Sequence, residues 1–438
     1  MAKKSSRRDF VKRSAAAVVG AFVVPDIIPS FALGMGGQRA PSNRIVMGQI
    51  GTGSQGISNM RDFLKLKDQV RFVALCDVDA KRLAEAKDLV DKTNKSKDCR
   101  TYSDFREFLE KEKLDAVSIA LPDHWHGIIY TETISKKVDV YGEKPICRTI
   151  NDGKTIVRAV KKNNIIWQTG SWQRSEENFR RGAELAINGR VGKIKLIEVG
   201  LPDGGRGIGT PPVQEVPKEL DWEMWLGPAL RVPFRGVYHW NWRWILDYSG
   251  GQLTDWAGHH IDIANWGAGL EHTGPVEIAG EGVYPAEGIY NAPVEYDFMC
   301  KYANGIEMRV ANYSRFPVMG MGTTWYGDLG WVHVDRGGKI AASDQKILDE
   351  KIGDNEIHLY KSENHWQNFI DSVRSRKPAI APIEVAYRAI SVALLGEIAM
   401  TTGQKIQWDP EKEEIIGNPV AGRLLSRPYR KPWTLPTV

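Results

Sequence analysis

Lys144 stands in Glu143-Lys144-Pro145, and Asp255 and His259 stand four residues apart in Asp255-Trp256-Ala257-Gly258-His259. Oxidising an alcohol asks two things of a protein: a proton acceptor that works near neutral pH, and a fixed cation beside the oxygen as it becomes alkoxide-like. Histidine is the side chain whose ordinary pKa lies in that range, and a lysine at a strand end can hold the reacting oxygen. Four-residue spacing puts Asp255 and His259 on one helix face, where the carboxylate can bind substrate or bias the imidazole. The same residues admit a plainer reading. Lys144 can be a surface lysine before a turn proline, Asp255 a dipole-complementing acid and His259 a packed ring.

A hydride needs somewhere to go, and Gly51-Thr52-Gly53-Ser54-Gln55-Gly56 points to the acceptor. The string follows an apolar strand pattern, opens a helix pattern, and is answered by Asp77, 21 residues beyond Gly56. That is the full context of a dinucleotide fingerprint. Gly51 permits the tight turn, Gly53 the approach of the pyrophosphate, and Gly56 close helix-to-sheet packing, with the helix N-terminus facing the phosphates. A carboxylate at Asp77 suits the ribose hydroxyls and repels a 2′-phosphate, which favours NAD over NADP. Lys81 and Arg82 soften that preference.

The elements that must position these groups alternate. Strand patterns at 44–50, 70–76, 116–120, 137–141 and 165–169 are separated by helix patterns at 55–66, 79–90 and 102–109. This predicts an α/β Rossmann domain over 43–169 with a parallel sheet. Beyond it, strand-like runs at 193–200, 276–282, 294–302, 306–313, 323–326 and 330–334 predict an α+β domain over 170–405 with an open, mainly antiparallel sheet. Helices are expected at 252–267, 365–373 and 383–400, the last stopped by Gly403, with a C-terminal extension at 406–438. Trp222, Trp225, Tyr238, Trp240, Trp242 and Trp244 crowd one stretch, with Asn241 and Arg243 among them. Indoles suit sugar faces, and Asn and Arg suit hydroxyls.

The 438 residues carry a formal charge of +5, but residues 1–34 account for +4 of it. No basic block interleaved with aromatics remains, which argues against nucleic acid as a partner. The leader itself reads as a twin-arginine export signal: Ser6-Arg7-Arg8-Asp9-Phe10-Val11-Lys12, then an apolar run at 15–24 too short to span a bilayer. It predicts a periplasmic protein without stable membrane insertion. Cys76, Cys99, Cys147 and Cys300 show no CxxC spacing and read as plain thiols.

The chain resembles the Gfo/Idh/MocA family of sugar and inositol dehydrogenases, which includes glucose-fructose oxidoreductase and myo-inositol dehydrogenase. The resemblance rests on the GTGSQG turn, Leu121-Pro122-Asp123-His124-Trp125-His126, Glu143-Lys144-Pro145, and the Asp255 and His259 pair, in that order over 43 to about 405. It implies Lys144 on the reacting hydroxyl, His259 as acid/base, and Asp255 supporting substrate or histidine. It also implies a dinucleotide touched by Gly51, Gly53, Ser54, Gln55, Gly56, Asp77, Pro122, His126, Glu143 and Lys144. Trp172, Arg174, Asn241, Arg243 and His260 are the candidate substrate residues. His260 directly after His259, and His124 and His126 flanking a tryptophan, depart from the family pattern; no metal is assigned to them. The expected activity is hydride transfer between a sugar or glycoside carbon, C3 favoured, and a tightly bound nicotinamide in a homo-oligomer. The alternatives are an NAD-dependent glycosidase working by transient oxidation and a non-catalytic sugar-binding protein.

Overall fold

Six short strands pair side by side in the order β3-β2-β1-β4-β5-β6, every neighbour parallel. This computed structural model describes residues 43–236 and 238–438, so the expected leader at 1–34 lies outside the described residues. The strands are β1 (Ile45–Ile50), β2 (Val70–Cys76), β3 (Arg100–Tyr102), β4 (Ala116–Ile119), β5 (Asp139–Gly142) and β6 (Trp167–Thr169). Between them run α1 (Ser54–Lys65), α2 (Ala80–Asn94), α3 (Phe105–Lys111), α4 (His126–Ser135) and α5 (Ile150–Asn163). Strands covered on both faces read as continuous apolar runs. β4 is buried at every residue, and β1 at all but one. Strand order reverses between β1 and β4, and the crevice at their carboxyl ends is where a doubly wound sheet takes its ligand.

Two differences from the sequence expectation have clear causes. The helix expected at 102–109 begins later, because Arg100–Tyr102 forms the edge strand and Asp104 caps the helix by accepting from Arg106 N at 2.8 Å. Helix α4 carries no amphipathic stripe because eight of its ten residues are buried, so its periodicity is hidden.

The second sheet has nine strands in the order β13-β12-β11-β7-β10-β9-β8-β14-β15, antiparallel except for the β7–β10 pair. Its members are β7 (Ile194–Leu201), β8 (Glu277–Val283), β9 (Glu295–Lys301), β10 (Glu307–Asn312), β11 (Gly322–Gly327), β12 (Trp331–Asp335), β13 (Lys339–Ala342), β14 (Ile406–Asp409) and β15 (Glu414–Ile416). Helices α6 (Glu177–Ile187), α7 (Trp222–Leu226), α8 (Gly251–Trp256), α9 (Asp262–Ala268), α10 (Gln345–Asp349), α11 (His365–Ser375), α12 (Ile383–Thr402) and α13 (Pro419–Arg423) complete the fold. The central helix α12 is mostly buried and ends on Gly403 at φ +61°, the left-handed cap that glycine accepts without strain.

Residues 45–438 form one compact unit. The 406–438 segment adds β14 to β8, and then returns to the first sheet's helices. There Tyr429 donates to Asp152 at 2.7 Å and the Trp433 ring meets Trp125 edge-on at 4.7 Å. All four cysteines are buried and free. Among the described residues, no helix is long and apolar enough to cross a membrane.

Candidate active site

A cleft enclosing about 1120 Å³, part of it open to solvent, lies at the carboxyl ends of β1, β2, β4 and β5. Gly51, Gly53, Ser54, Gln55, Gly56, Asp77, Pro122, Glu143, Lys144, Arg243 and Asp255 all line it. Gly51 has φ +84°, and a Cβ there would lie 2.1 Å from the Ala120 carbonyl oxygen. A Cβ on Gly56 would lie 2.0 Å from the Gly51 oxygen. The N-cap of α1 is Gly53, whose missing side chain leaves the first-turn N–H groups uncapped. A bare helix N-terminus behind a tight glycine turn is the cradle a pyrophosphate needs. Asp77 accepts from Thr52 N at 2.6 Å, Thr52 Oγ1 at 2.9 Å and Asp79 N at 2.9 Å. A carboxylate offers about four lone-pair positions, so Asp77 keeps one for a ribose hydroxyl. The residues present thus fit a dinucleotide.

The aromatic stretch has a different place from the one its composition suggests. Leu220 forms a bridge with Asp79, with Ala80 N donating to Glu219 O at 2.8 Å and Asp221 N to Val78 O at 2.9 Å. The chain then lays Trp225, Tyr238, His239 and Trp242 along the cleft wall. Trp222 stacks on Trp225 at 4.8 Å behind them. Two of these indoles, Trp225 and Trp242, thus line the same cleft as the glycine turn, Lys144 and Asp255. Asn241 is half-buried and does not line the cleft. Trp240 stays exposed, with the Arg243 guanidinium 3.9 Å over its ring.

Lys144 and Asp255 meet in the cleft, Nζ donating to Oδ1 at 2.9 Å. Arg243 Nε approaches the same oxygen at 3.6 Å, an ion pair rather than a hydrogen bond. Burial pushes the Asp255 carboxyl up, but Lys144 and Arg243 outweigh it and hold the group below the usual carboxylate range. Lys144 can lie this close because position 258 is glycine, whose Cβ would stand 2.8 Å from Lys144 Cβ. The loop behind Lys144 is fixed by Arg148, which makes a bidentate pair with Glu397 at 2.7 and 3.0 Å.

His259 belongs to a π-helical turn, Ala257–Ile261, set between α8 and α9. Such turns leave backbone carbonyls without helical partners; here Ser171 Oγ donates to Gly258 O at 2.6 Å and Thr323 Oγ1 to His260 O at 2.8 Å. The His259 ring is buried beside Lys144, Trp172 and Trp256, behind the cleft wall, since neither His259 nor Trp172 lines the cleft; among the described residues its Nδ1 has no hydrogen-bond partner. Burial first, then the charges of Lys144 and Arg336, hold its pKa well below the ordinary value.

Three residues assigned from sequence are used elsewhere. Arg174 is 2 % exposed and spent on Asp262, at 2.6 and 2.9 Å, and Glu271 at 2.8 Å, so it braces α9 and cannot reach a substrate. His126 is fully buried, with Nδ1 2.6 Å from Pro145 O and Nε2 3.1 Å from Leu121 O. Burial lowers its pKa to about 4, so the neutral ring donates through the shorter contact and orients the lysine loop from behind. His260 is fully buried, stacked on Trp256 at 5.3 Å, and lies outside the cleft. Among the described residues, no three His, Cys, Asp or Glu are grouped to hold a metal ion.

Sequence reasoning missed Asp123, although it sits in the strand-end motif. It lines the cleft, accepts from Ser249 Oγ at 2.6 Å, and burial raises its pKa to about 7, with the Asp255 charge adding to that. Its unfolded value is about 3.9, so between these limits the folded state binds the extra proton. The stability this proton confers is complete below the unfolded value and lost as pH rises through about 7. Asp123→Asn is therefore expected to melt above wild type by an increment that grows from about pH 4 to about pH 7. The full effect is on the order of a few kcal/mol. A constant difference across a pH series of thermal melts would contradict it.

Family models of the Gfo/Idh/MocA oxidoreductases match twice: the NAD-binding Rossmann fold over residues 45–171, and the C-terminal alpha/beta domain over 206–435. Among curated relatives, a myo-inositol 2-dehydrogenase of Thermotoga maritima is 28% identical over 153 residues, 35% of this chain and 44% of the relative. A glycosyl hydrolase family 109 protein of Shewanella baltica is 27% identical over 187 residues, 39% and 40% of the two chains. The aligned stretches thus span under half the length of these relatives. Among solved structures, the WlbA dehydrogenase of Bordetella pertussis in complex with NADH and UDP-GlcNAcA matches with a TM-score of 0.61 at 15% identity, covering 84% of this chain and 99% of that one. The aldose-aldose oxidoreductase of Caulobacter crescentus complexed with glycerol gives 0.61 at 14%, covering 83% and 99%. At those identities the likeness is one of fold. With both domain models matched in order around the cleft, the chain belongs to the Gfo/Idh/MocA oxidoreductase family.

Proposed function

We propose that the protein oxidises a hydroxyl-bearing carbon of a sugar or glycoside, with C3 the favoured carbon. The observation that carries this reading is the Lys144–Asp255 pair at 2.9 Å in a cleft that also holds the glycine turn and Asp77. A nicotinamide dinucleotide in that cleft supplies the hydride acceptor. Asp255 stays ionised and aims the Lys144 ammonium, which donates to the substrate oxygen and stabilises it as charge develops. His259, held neutral by burial and its cationic neighbours, is the base that takes the hydroxyl proton as the hydride leaves the carbon.

The aromatic wall supports a cofactor held tightly as a prosthetic group, because backbone bonds of Asp221 to Val78 and Ala80 to Glu219 fasten it to the second strand's end. Export through the twin-arginine leader and assembly as a homo-oligomer belong to the same proposal. A bound cofactor in an exported protein calls for a reaction that returns its own hydride to a second sugar.

The test is to purify the protein without added nucleotide and titrate it with a panel of glycosides and ketosugars. The expected result is a dinucleotide that co-purifies, gains the reduced-nicotinamide absorbance with one class of sugar, and loses it with the other. A preparation that neither retains nor binds a dinucleotide overturns the proposal. The glycosyl hydrolase family 109 relatives favour a second reading, transient oxidation that enables glycoside cleavage. Free reducing sugar released from an aryl glycoside without an added acceptor would select it.

A further inference from the structure

Arg336 follows β12 in the turn to β13, and its guanidinium carbon lies 4.6 Å from the Trp172 ring centroid and 4.1 Å from that of Trp256. Both indoles also meet the His259 ring, at 6.0 and 5.7 Å. A cation flanked by two indoles gains cation–π energy but loses water. Among the described residues, Arg336 forms no ion pair, and its buried Nε has no hydrogen-bond partner. The carboxylates whose fields reach it are Glu176, Asp255 and Asp335. Asp255 is held by Lys144 and Asp335 lies 3.5 Å from Lys339. Glu176, Asp335, His259 and His260, which interact electrostatically with Arg336, carry buried atoms without hydrogen bonds: Glu176 Oε2, His259 Nδ1, His260 Nδ1, and the pair His260 Nε2 and Asp335 Oδ1, which stand 3.9 Å apart. Native proteins rarely leave so many polar atoms unsatisfied together. Burial of the guanidinium outweighs those acids and lowers its pKa, so the cation lacks a partner in contact.

We infer that Arg336 is a specificity-determining residue that binds a carboxylate carried by the sugar, so that the preferred substrates are uronate-type acidic sugars or their glycosides. A planar guanidinium offers paired N–H donors that match a carboxylate bidentately, and the indoles on either side hold that plane in place. Its position beside His259 places the recognised group on the reacting molecule. This inference rests on the reading of the cleft as a sugar dehydrogenase site.

The test compares matched pairs of methyl glycosides that differ only in carrying a carboxylate or a hydroxymethyl group at C6, in the gluco, galacto and manno series. Binding is read from tryptophan fluorescence and oxidation from the absorbance of the bound cofactor, for wild type, R336M and R336K. In at least one pair the wild type should bind the acidic member about tenfold or more tightly, with a preference that shrinks as salt is raised. R336M should bring the two affinities together and R336K should restore part of the gap. If no acidic glycoside binds better than its neutral partner, or R336M weakens both members by the same factor, the assignment is wrong. Acidic sugars that bind without reducing the cofactor would leave Arg336 assigned and overturn the dehydrogenase reading. Oxidation of both members with equal affinity would do the reverse.

Discussion

Lys144→Met should cut turnover by about a thousandfold or more and leave the dinucleotide in its cleft. Methionine keeps the length and apolar stem of lysine, so the close packing of Gly258 on Lys144 Cβ survives. What disappears is the charge. Losing one preorganised donor to a developing oxyanion typically costs about 10²–10³ in rate, and here the donor is also the ammonium that Asp255 holds at 2.9 Å. Without it Asp255 keeps only Arg243, at 3.6 Å. Burial then weighs more heavily on the carboxylate, and its pKa should rise. The His259 pKa should rise toward its ordinary value, because Lys144 is the strongest of the neighbouring charges that depress it. The variant's residual activity should therefore carry a shifted pH profile as well as a lower ceiling. Stopped-flow measurement of bound-cofactor reduction checks both, with cofactor content measured in parallel. Turnover within tenfold of wild type would remove Lys144 from the reaction.

The legibility of the site in sequence follows how local its causes are. The glycine turn, Asp77 and the lysine loop were readable because each sits at a strand end, and parallel strands buried on both faces announce themselves as apolar runs. Spacing alone leaves Asp255 and His259 open to a plainer reading and the family resemblance singles them out; the turn between them is π-helical and depends on hydroxyls from Ser171 and Thr323, far away in sequence. Arg174 looked like a pocket residue because it follows the last strand of the first sheet; only the tertiary fold shows Asp262 and Glu271 consuming its charge. Composition alone does not place the tryptophans; the bridge between Leu220 and Asp79 brings Trp225 and Trp242 to the cleft wall beside the second strand's end. Arg336 gives no local signal at all. Its meaning depends on Trp172 and Trp256, which come from two distant segments.

Gly56→Ala sets a local preference against a tertiary constraint, and the constraint should win. Gly56 lies inside α1, where alanine is favoured over glycine by about 1 kcal/mol. The added Cβ, however, would stand 2.0 Å from the Gly51 carbonyl oxygen, with the Gln49 side-chain nitrogen at 3.1 Å. Backbone cannot yield as a flexible side chain can, so relief requires α1 to lift from the turn by an ångström or more. Gln49 Nε2 also donates to Gly51 O at 2.8 Å and is fully buried, so that lift strains a buried hydrogen bond. Overpacking of this kind costs about 1–3 kcal/mol or more, which exceeds the helix-propensity gain. The same displacement moves the uncapped N–H groups of α1 away from the position a pyrophosphate would occupy. The variant should melt several degrees lower and purify with little or no dinucleotide, while far-ultraviolet dichroism stays close to that of wild type. Gly53→Ala is the control for melting alone, since its Cβ would meet only the Arg82 guanidinium at 2.9 Å, the movable end of a side chain, although it would still crowd the pyrophosphate. If Gly56→Ala keeps the cofactor and melts with wild type, close approach of α1 to the glycine turn is not what builds the cradle.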